Sequence, residues 1–163
     1  MVSCIKHAPV SSGNSFECMV NGEYWKPQVP ISNFFAGMFG AWTDPTIQCR
    51  YDEYNGISSV VIEANRYRQV DTLYKKSRIV IGIRNITQTG VYNLGQTTGA
   101  TLSFSSENNC YLSVSDPGTT AGGAVIITTF DKTARIISGT FNLQIQNSCG
   151  TYNLTSGKFN ATF

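Results

Sequence analysis

Hydrophobic and polar residues alternate with a period of two along most of this chain. The segment "FECMVNGEYWKP" is an alternating run, an Asn21-Gly22 turn and a second alternating run, a pattern that predicts a β-hairpin. Further on, "TIQCRY", "ISSVVIEANRYR", "SRIVIGIRN", "GVYNLG", "ATLSFS", "CYLSVS", "GAVIITTF", "ARIISGTFNLQIQ" and "YNLTSGKFNATF" carry β-branched or aromatic residues, most in the same period. Turn clusters separate them, among them Tyr54-Asn55-Gly56, Ser106-Glu107-Asn108-Asn109 and Asp116-Pro117-Gly118. Short strands at this spacing predict an all-β domain, either an antiparallel β-sandwich or a closed or partly open β-barrel of about nine to eleven strands. The alternation also assigns a core. Ile79, Ile81 and Ile83 share one face, as do Ile126, Thr128 and Phe130, and as do Phe141, Leu143 and Ile145. Burying each large aliphatic side chain contributes roughly 1.5–3 kcal/mol.

Two stretches break the pattern. Residues 1–15, including "IKHAPVSSGNS", are small, polar and turn-rich and read as an N-terminal tether, leaving residues 16–163 as one all-β domain. The stretch "ISNFFAGMFGAWTDP" is apolar and aromatic but rich in glycine. A short helix capped by Ser32 or Asn33, or an aromatic loop, is predicted near 31–42. Phe34, Phe35, Phe39 and Trp42, with Trp25, form the candidate surface for a glycan or protein partner. The structural alternative is a plug over an open end of the sandwich or barrel, since exposed apolar patches of that size are rare.

Composition narrows the class. Of 163 residues, 41% are hydrophobic and only 13% charged, about half the charged share usual in soluble domains. Ser, Thr, Asn and Gly take the place of charge, as in many secreted β-proteins. A net charge of +2 is too mild to argue for nucleic acid. No apolar run approaches the length needed to cross a bilayer.

The residues that carry chemistry are few. The one histidine, His7, lies in the tether, which speaks against a histidine general base and excludes a multi-imidazole metal site. The ten acidic residues form no glycosidase pair legible in sequence, and Asp52 and Glu53 point to opposite faces of a strand. "DPGTTAGGAV" lacks the Gly-Lys-Ser/Thr ending of a phosphate loop and leads into a strand. No acidic repeat resembles a calcium loop. No catalytic residue, cofactor or metal is therefore assigned. In "NRYRQVDTLYKKSR", Arg66, Arg68, Lys75, Lys76 and Arg78 bracket Tyr67 and Tyr74. Such interleaving suits nucleic acid or anionic glycans, although a solvated hairpin end is the commoner origin of such a pattern.

Five cysteines, Cys4, Cys18, Cys49, Cys110 and Cys149, form no Cys-x-x-Cys pair. Four well-separated cysteines plus one near the terminus suit an oxidising compartment. If successive strands run strictly antiparallel, three crossings separate Cys110 from Cys149 and place them at opposite ends. That disfavours a 110–149 bridge and leaves pairings through Cys18 and Cys49, or four free thiols. Val2-Ser3-Cys4 matches the end of a bacterial lipoprotein signal, with Cys4 as the lipidated residue and Met1 in place of the preceding signal.

"VNGEYWKP", "GVYNLG", "GGAVIITTFDKTARIISGTFNLQI" and "NLTSGKFNATF" together resemble a family of Bacteroidetes lipoproteins of unknown function. The shared pattern falls on Phe130, Asp131, Ile137, Gly139, Thr140, Phe141, Leu143, Gly157 and Phe159, with Leu143 replacing the usual aromatic. The resemblance implies an all-β, envelope-anchored domain and brings no catalytic residues. The expected function is a non-enzymatic domain lipid-anchored at the outer membrane through Cys4, binding a glycan or an envelope protein. The alternatives are a structural component of a surface assembly, or a hydrolase assembled from distant carboxylates.

Overall fold

A computed structural model describes residues 13–28, 46–70, 73–95, 99–108 and 110–163. Cys4 and His7, the predicted helix or aromatic loop, and Phe34, Phe35, Phe39 and Trp42 lie outside the described residues. Eleven strands form among the described residues: β1 (Ser15–Val20), β2 (Glu23–Trp25), β3 (Ile47–Tyr54), β4 (Ile57–Val70), β5 (Leu73–Arg84), β6 (Gly90–Asn93), β7 (Ala100–Ser105), β8 (Tyr111–Ser113), β9 (Thr120–Asp131), β10 (Ile136–Asn147) and β11 (Gly150–Thr162). They make a six-stranded sheet ordered β2-β1-β11-β10-β9-β6 and a five-stranded sheet ordered β3-β4-β5-β7-β8. Every strand pairing is antiparallel, and the two sheets pack as a sandwich rather than closing into a barrel.

Local chemistry explains the hairpins. Asn21 and Gly22 both take positive φ, 49° and 84°, the pair of values a two-residue β1–β2 turn needs to match strand twist. Asp131 closes the β9–β10 turn by accepting the backbone N–H groups of Thr133 and Ala134, each at 2.8 Å. Beyond the hairpins the chain changes sheets repeatedly: β6 leaves the five-stranded sheet to pair with β9, and β7 returns to pair with β5. The end of the predicted tether is held against β11, since Asn14 accepts from the Thr162 N–H at 2.9 Å and Gly13 accepts from Asn160 at 3.2 Å, and its last residue, Ser15, opens β1.

The shared sequence motif resolves into two reciprocal cross-strand pairs. Gly139 of β10 faces Phe159 of β11, and Phe141 of β10 faces Gly157 of β11. All four are buried. A Cβ on Gly157 would meet three carbons of the Phe141 ring, and one on Gly139 would meet the Ile126 carbonyl oxygen and Phe159 Cζ. Each ring thus occupies the space its partner glycine leaves. Phe16 packs against Phe141 at a tilt, with ring centroids 5.3 Å apart, and meets Trp25 edge-on at 5.7 Å, extending the aromatic spine into the β1–β2 hairpin.

Core parity agrees with expectation on β5 and β10 and fails on β9. Ile79, Ile81, Ile83, Phe141, Leu143 and Ile145 are all buried. On β9 the buried pair is Val125 and Ile127, while Ile126 and Thr128 face solvent. The cause is a bulge: Ser138 faces Thr129 and Gly139 faces Ile127, so Thr128 has no opposite residue and the inward parity flips before Phe130.

The disulfide expectation also fails. Cys110 and Cys149 are bridged, with Cα atoms 5.9 Å apart, and Cys18 and Cys49 are free thiols. The predicted strand at Cys110 shrinks to the three residues of β8, and the chain then turns back through Asp116 to Thr119 instead of crossing the sheet. Only β9 and β10 span the sandwich between the two cysteines, an even number of crossings, so both lie at the same end. The bridge joins the start of β8 in one sheet to the β10–β11 turn of the other. Burial pushes both free thiols up to about 12.

Candidate functional site

The β4–β5 hairpin carries the basic and aromatic residues singled out in the sequence, and strand parity divides them between two environments. Arg66 and Arg68 point inward at one end of the sandwich. Arg66 bonds Glu107 at 2.9 Å and approaches Glu23 at 3.6 Å; Arg68 bonds Glu107 at 2.8 Å and approaches Glu23 at 3.5 Å. Two guanidiniums and two carboxylates are therefore matched with one another, and they tie the β7–β8 turn and the β2 strand to β4. Lys75 adds a 3.5 Å bond to Asn108 of the same turn. A groove of about 240 Å³ beside this clamp is lined by Asn21, Trp25, Phe104 and Tyr152.

Trp25 is not an exposed stacking platform. Only 1% of it reaches solvent, its indole N–H donates to Ser77 Oγ at 2.9 Å, and Arg66 lies 5.7 Å from its ring centroid. The inward parity of β2 and the mutual packing with Phe16 bury it. The described residues flanking the aromatic stretch meet β4 through backbone hydrogen bonds: the Gln28 N–H donates to the Asn65 carbonyl at 3.3 Å, the Tyr67 N–H donates to the Gln28 carbonyl at 2.9 Å, and the Asn65 N–H donates to the Thr46 carbonyl at 2.8 Å.

Lys76 and Arg78 belong to the opposite face of β5. Together with Val80, Ser103 and Ser105 of β7, and Tyr111 of β8, they line a shallow groove of about 420 Å³ on the outer face of the five-stranded sheet. The ladder places Arg78, Ser105 and Tyr111 in one row across three strands, and Val80, Ser103 and Ser113 in the next. Alternation makes this face: Leu102, Phe104 and Leu112 go to the core, which sends Ser103, Ser105 and Tyr111 outward. Tyr111 is 55% exposed, its hydroxyl 3.5 Å from Ser103 Oγ, which in turn lies 3.2 Å from Ser113 Oγ. Arg78 is held by Glu63 at 2.7 Å, and Glu63 also accepts from Asn65 at 3.0 Å. Burial would raise the Glu63 carboxyl, but the bonds from Asn65 and Arg78 outweigh it and hold the group below its ordinary value. Lys76 sits over the Tyr67 ring at 5.3 Å.

The groove offers an accessible aromatic ring, a short apolar floor at Val80, a set of hydroxyls and two cations within one shallow surface. Its β7 and β8 residues escaped the sequence reading. β5 and β7 are neighbours only because β6 joins the other sheet, and nothing local in "GVYNLG" signals that departure. The Ser103 and Ser105 spacing in "ATLSFS" was the available clue to an outward hydroxyl pair.

Fold and face together define an all-β sandwich with its candidate surface on a sheet face. Residues 53–162 match a family described as a domain of unknown function, DUF6252, and the chain belongs to that family. The matched region contains β4 to β11 and so includes the groove and both Gly–Phe pairs. Searches of curated proteins and of solved structures each return no match.

Proposed function

We propose that this protein is a non-enzymatic glycan-binding domain of the cell envelope. The observation that carries the reading is the outer-face groove, where Tyr111 stands beside the Ser103 and Ser105 hydroxyls. A sugar has an apolar face that packs on an aromatic ring and a rim of hydroxyls that exchange hydrogen bonds with serines. The open, shallow shape suits a chain ligand that enters and leaves from the side. The two carboxylates nearest the charged groups, Glu63 and Glu107, are engaged by arginines, which suits a binding surface better than a hydrolytic centre. An extracytoplasmic setting is supported by the Cys110–Cys149 bridge, which persists in oxidising compartments. The resemblance to Bacteroidetes lipoproteins extends this to lipid anchoring through Cys4 at the outer membrane.

Glycan-array screening followed by calorimetry on Tyr111→Ala tests the reading. The wild-type chain binds at least one oligosaccharide, and the variant, equally folded by circular dichroism, loses affinity about tenfold or more, the range of one lost aromatic contact. Unchanged binding by Tyr111→Ala would remove the groove from consideration.

A further inference from the structure

We infer that β3 is a pairing edge on which a second copy of this chain docks, strand to strand, about a two-fold axis at Tyr51. The inference goes beyond the glycan reading and does not rest on it. Among the described residues each sheet ends in two edge strands. β2, β6 and β8 have three, four and three residues, too short to template another chain, whereas β3 has eight. No proline interrupts β3, and no bulge breaks its register with β4.

The β3–β4 ladder fixes which backbone groups point outward. The Asn65 N–H bonds the Thr46 carbonyl, and the Asn55-Gly56 turn closes on the facing pair Tyr54 and Ile57. Gln48, Arg50, Asp52 and Tyr54 therefore direct their N–H and C=O groups at β4. Cys49, Tyr51 and Glu53 turn theirs to the open edge, where no further backbone bond reaches them among the described residues.

A second β3 laid antiparallel must match open groups with open groups, so Cys49, Tyr51 and Glu53 oppose only one another. Axes centred on Arg50, Tyr51 or Asp52 all meet that condition, and charge separates them. An axis on Arg50 sets Arg50 against itself, and one on Asp52 sets Asp52 against itself, both destabilising. An axis on Tyr51 sets Arg50 against the second copy's Asp52 twice over, with Cys49 facing Glu53 and Gln48 facing Tyr54. Only this register is self-complementary.

The side chains leave room for it. Arg50 and Asp52 are exposed on the outer face; Arg50 bonds Gln48 at 2.9 Å, and neither is in an ion pair among the described residues. β4 sets Val61 and Ser59 opposite them, and Arg84 of β5 stands one strand beyond Ser59. On the inner side Tyr51 is half-buried against Phe130 and Phe163, with ring centroids 6.1 and 5.2 Å away. Glu53 is held there by the Tyr51 hydroxyl at 2.6 Å and by Lys132 at 3.2 Å. The axis brings the two Tyr51 residues side by side, so the aromatic trio of one copy meets that of the other. Such an axis stands perpendicular to the sheet. The five-stranded sheets of both copies then join as one, their outer faces pointing the same way.

Sedimentation velocity of the full chain from micromolar to millimolar concentration tests the proposal, with Cys4→Ser to prevent chance disulfides between copies. A monomer–dimer equilibrium is expected. Arg50→Asp and Asp52→Arg, both at exposed positions, are each expected to weaken it about tenfold or more, since two facing pairs turn from attraction to repulsion. The charge swap, Arg50→Asp with Asp52→Arg in one chain, is expected to restore association. Mixing the two single variants is expected to give a heterodimer, which a folding defect in either would prevent. Hydrogen exchange at the Cys49, Tyr51 and Glu53 amides is expected to slow as concentration rises. A chain that stays monomeric at millimolar concentration would overturn the proposal. Protection of those three amides at every concentration, as when another segment of the same chain covers the edge, would overturn it too. So would a dimer indifferent to both single variants, or one that the charge swap fails to restore.

Discussion

Replacing Gly157 with alanine tests the packing logic of the shared motif. The added Cβ would meet three carbons of the Phe141 ring. Neither side can yield freely. Gly157 lies on β11, which is paired on both sides by β10 and β1, so its backbone is held. Phe141 is buried between Phe16 at 5.3 Å and Phe159 at 6.4 Å, so its ring has no vacant space to enter. Overpacking of a fixed core costs about 1–3 kcal/mol, and these constraints place Gly157→Ala at the upper end, about 3 kcal/mol. For a domain of this size that lowers Tm by roughly 6–12 °C. Urea denaturation with an unchanged slope gives the free-energy difference directly. Shortening the ring in the same chain, Gly157→Ala with Phe141→Leu, is expected to recover part of the loss, a coupling of about 1 kcal/mol or more in a double-mutant cycle. A loss under about 1 kcal/mol for Gly157→Ala alone, or strict additivity with Phe141→Leu, would refute the reciprocal-pair account.

Further outcomes follow from the bridge, the thiols and the carboxylates. Cys110→Ser with Cys149→Ser opens a link across a sequence separation of 39, which the chain-entropy relation values at about 4 kcal/mol, and denaturation under non-reducing conditions measures it. The same double variant weakens glycan binding, because Tyr111 follows Cys110 and its carbonyl accepts from Asn147 at 3.3 Å across the sheets. With Cys4 replaced by serine, the native chain reacts slowly with maleimide at neutral pH, since burial pushes Cys18 and Cys49 up to about 12, and unfolding releases both. Glu53, held low by Tyr51 and then Lys132, and Glu63, held low by Asn65 and Arg78 against burial, stabilise the fold above the ordinary carboxylate value of 4.5. That contribution is lost as pH falls through their depressed folded values, so acid unfolding shifts to higher pH in Glu63→Gln, as a pH titration of ellipticity reads.

Features set by neighbouring residues were legible in the sequence. The Asn21-Gly22 turn and the buried faces of β5 and β10 depend on spacing of a few positions, which alternation reports directly. Features set by a partner strand were not. The β9 bulge at Thr128 exists only in register with β10, so parity read along β9 alone placed Ile126 inward. The extent of β8 depends on β7, and overestimating it by a few residues was enough to separate Cys110 from Cys149. The groove shows the same divide. Lys76, Arg78 and Tyr67 stood out as a basic, aromatic hairpin, but the partners that make them a surface come from β7 and β8, which the detour of β6 hides. Trp25 drew notice as an aromatic near other aromatics, and its place in the spine with Phe16 and Phe141 follows from pairing between the chain's two ends.

Backbone amide shifts during titration with the tightest-binding oligosaccharide test the central claim most directly, because they locate the ligand without any substitution. Perturbations concentrated at residues 76–80, 103–105 and 111–113 are predicted, with the outer face of the six-stranded sheet around Val91 and Ile126 unchanged. Perturbations centred on that other face, or on residues 29–45, with the β5–β7–β8 row silent, would contradict it.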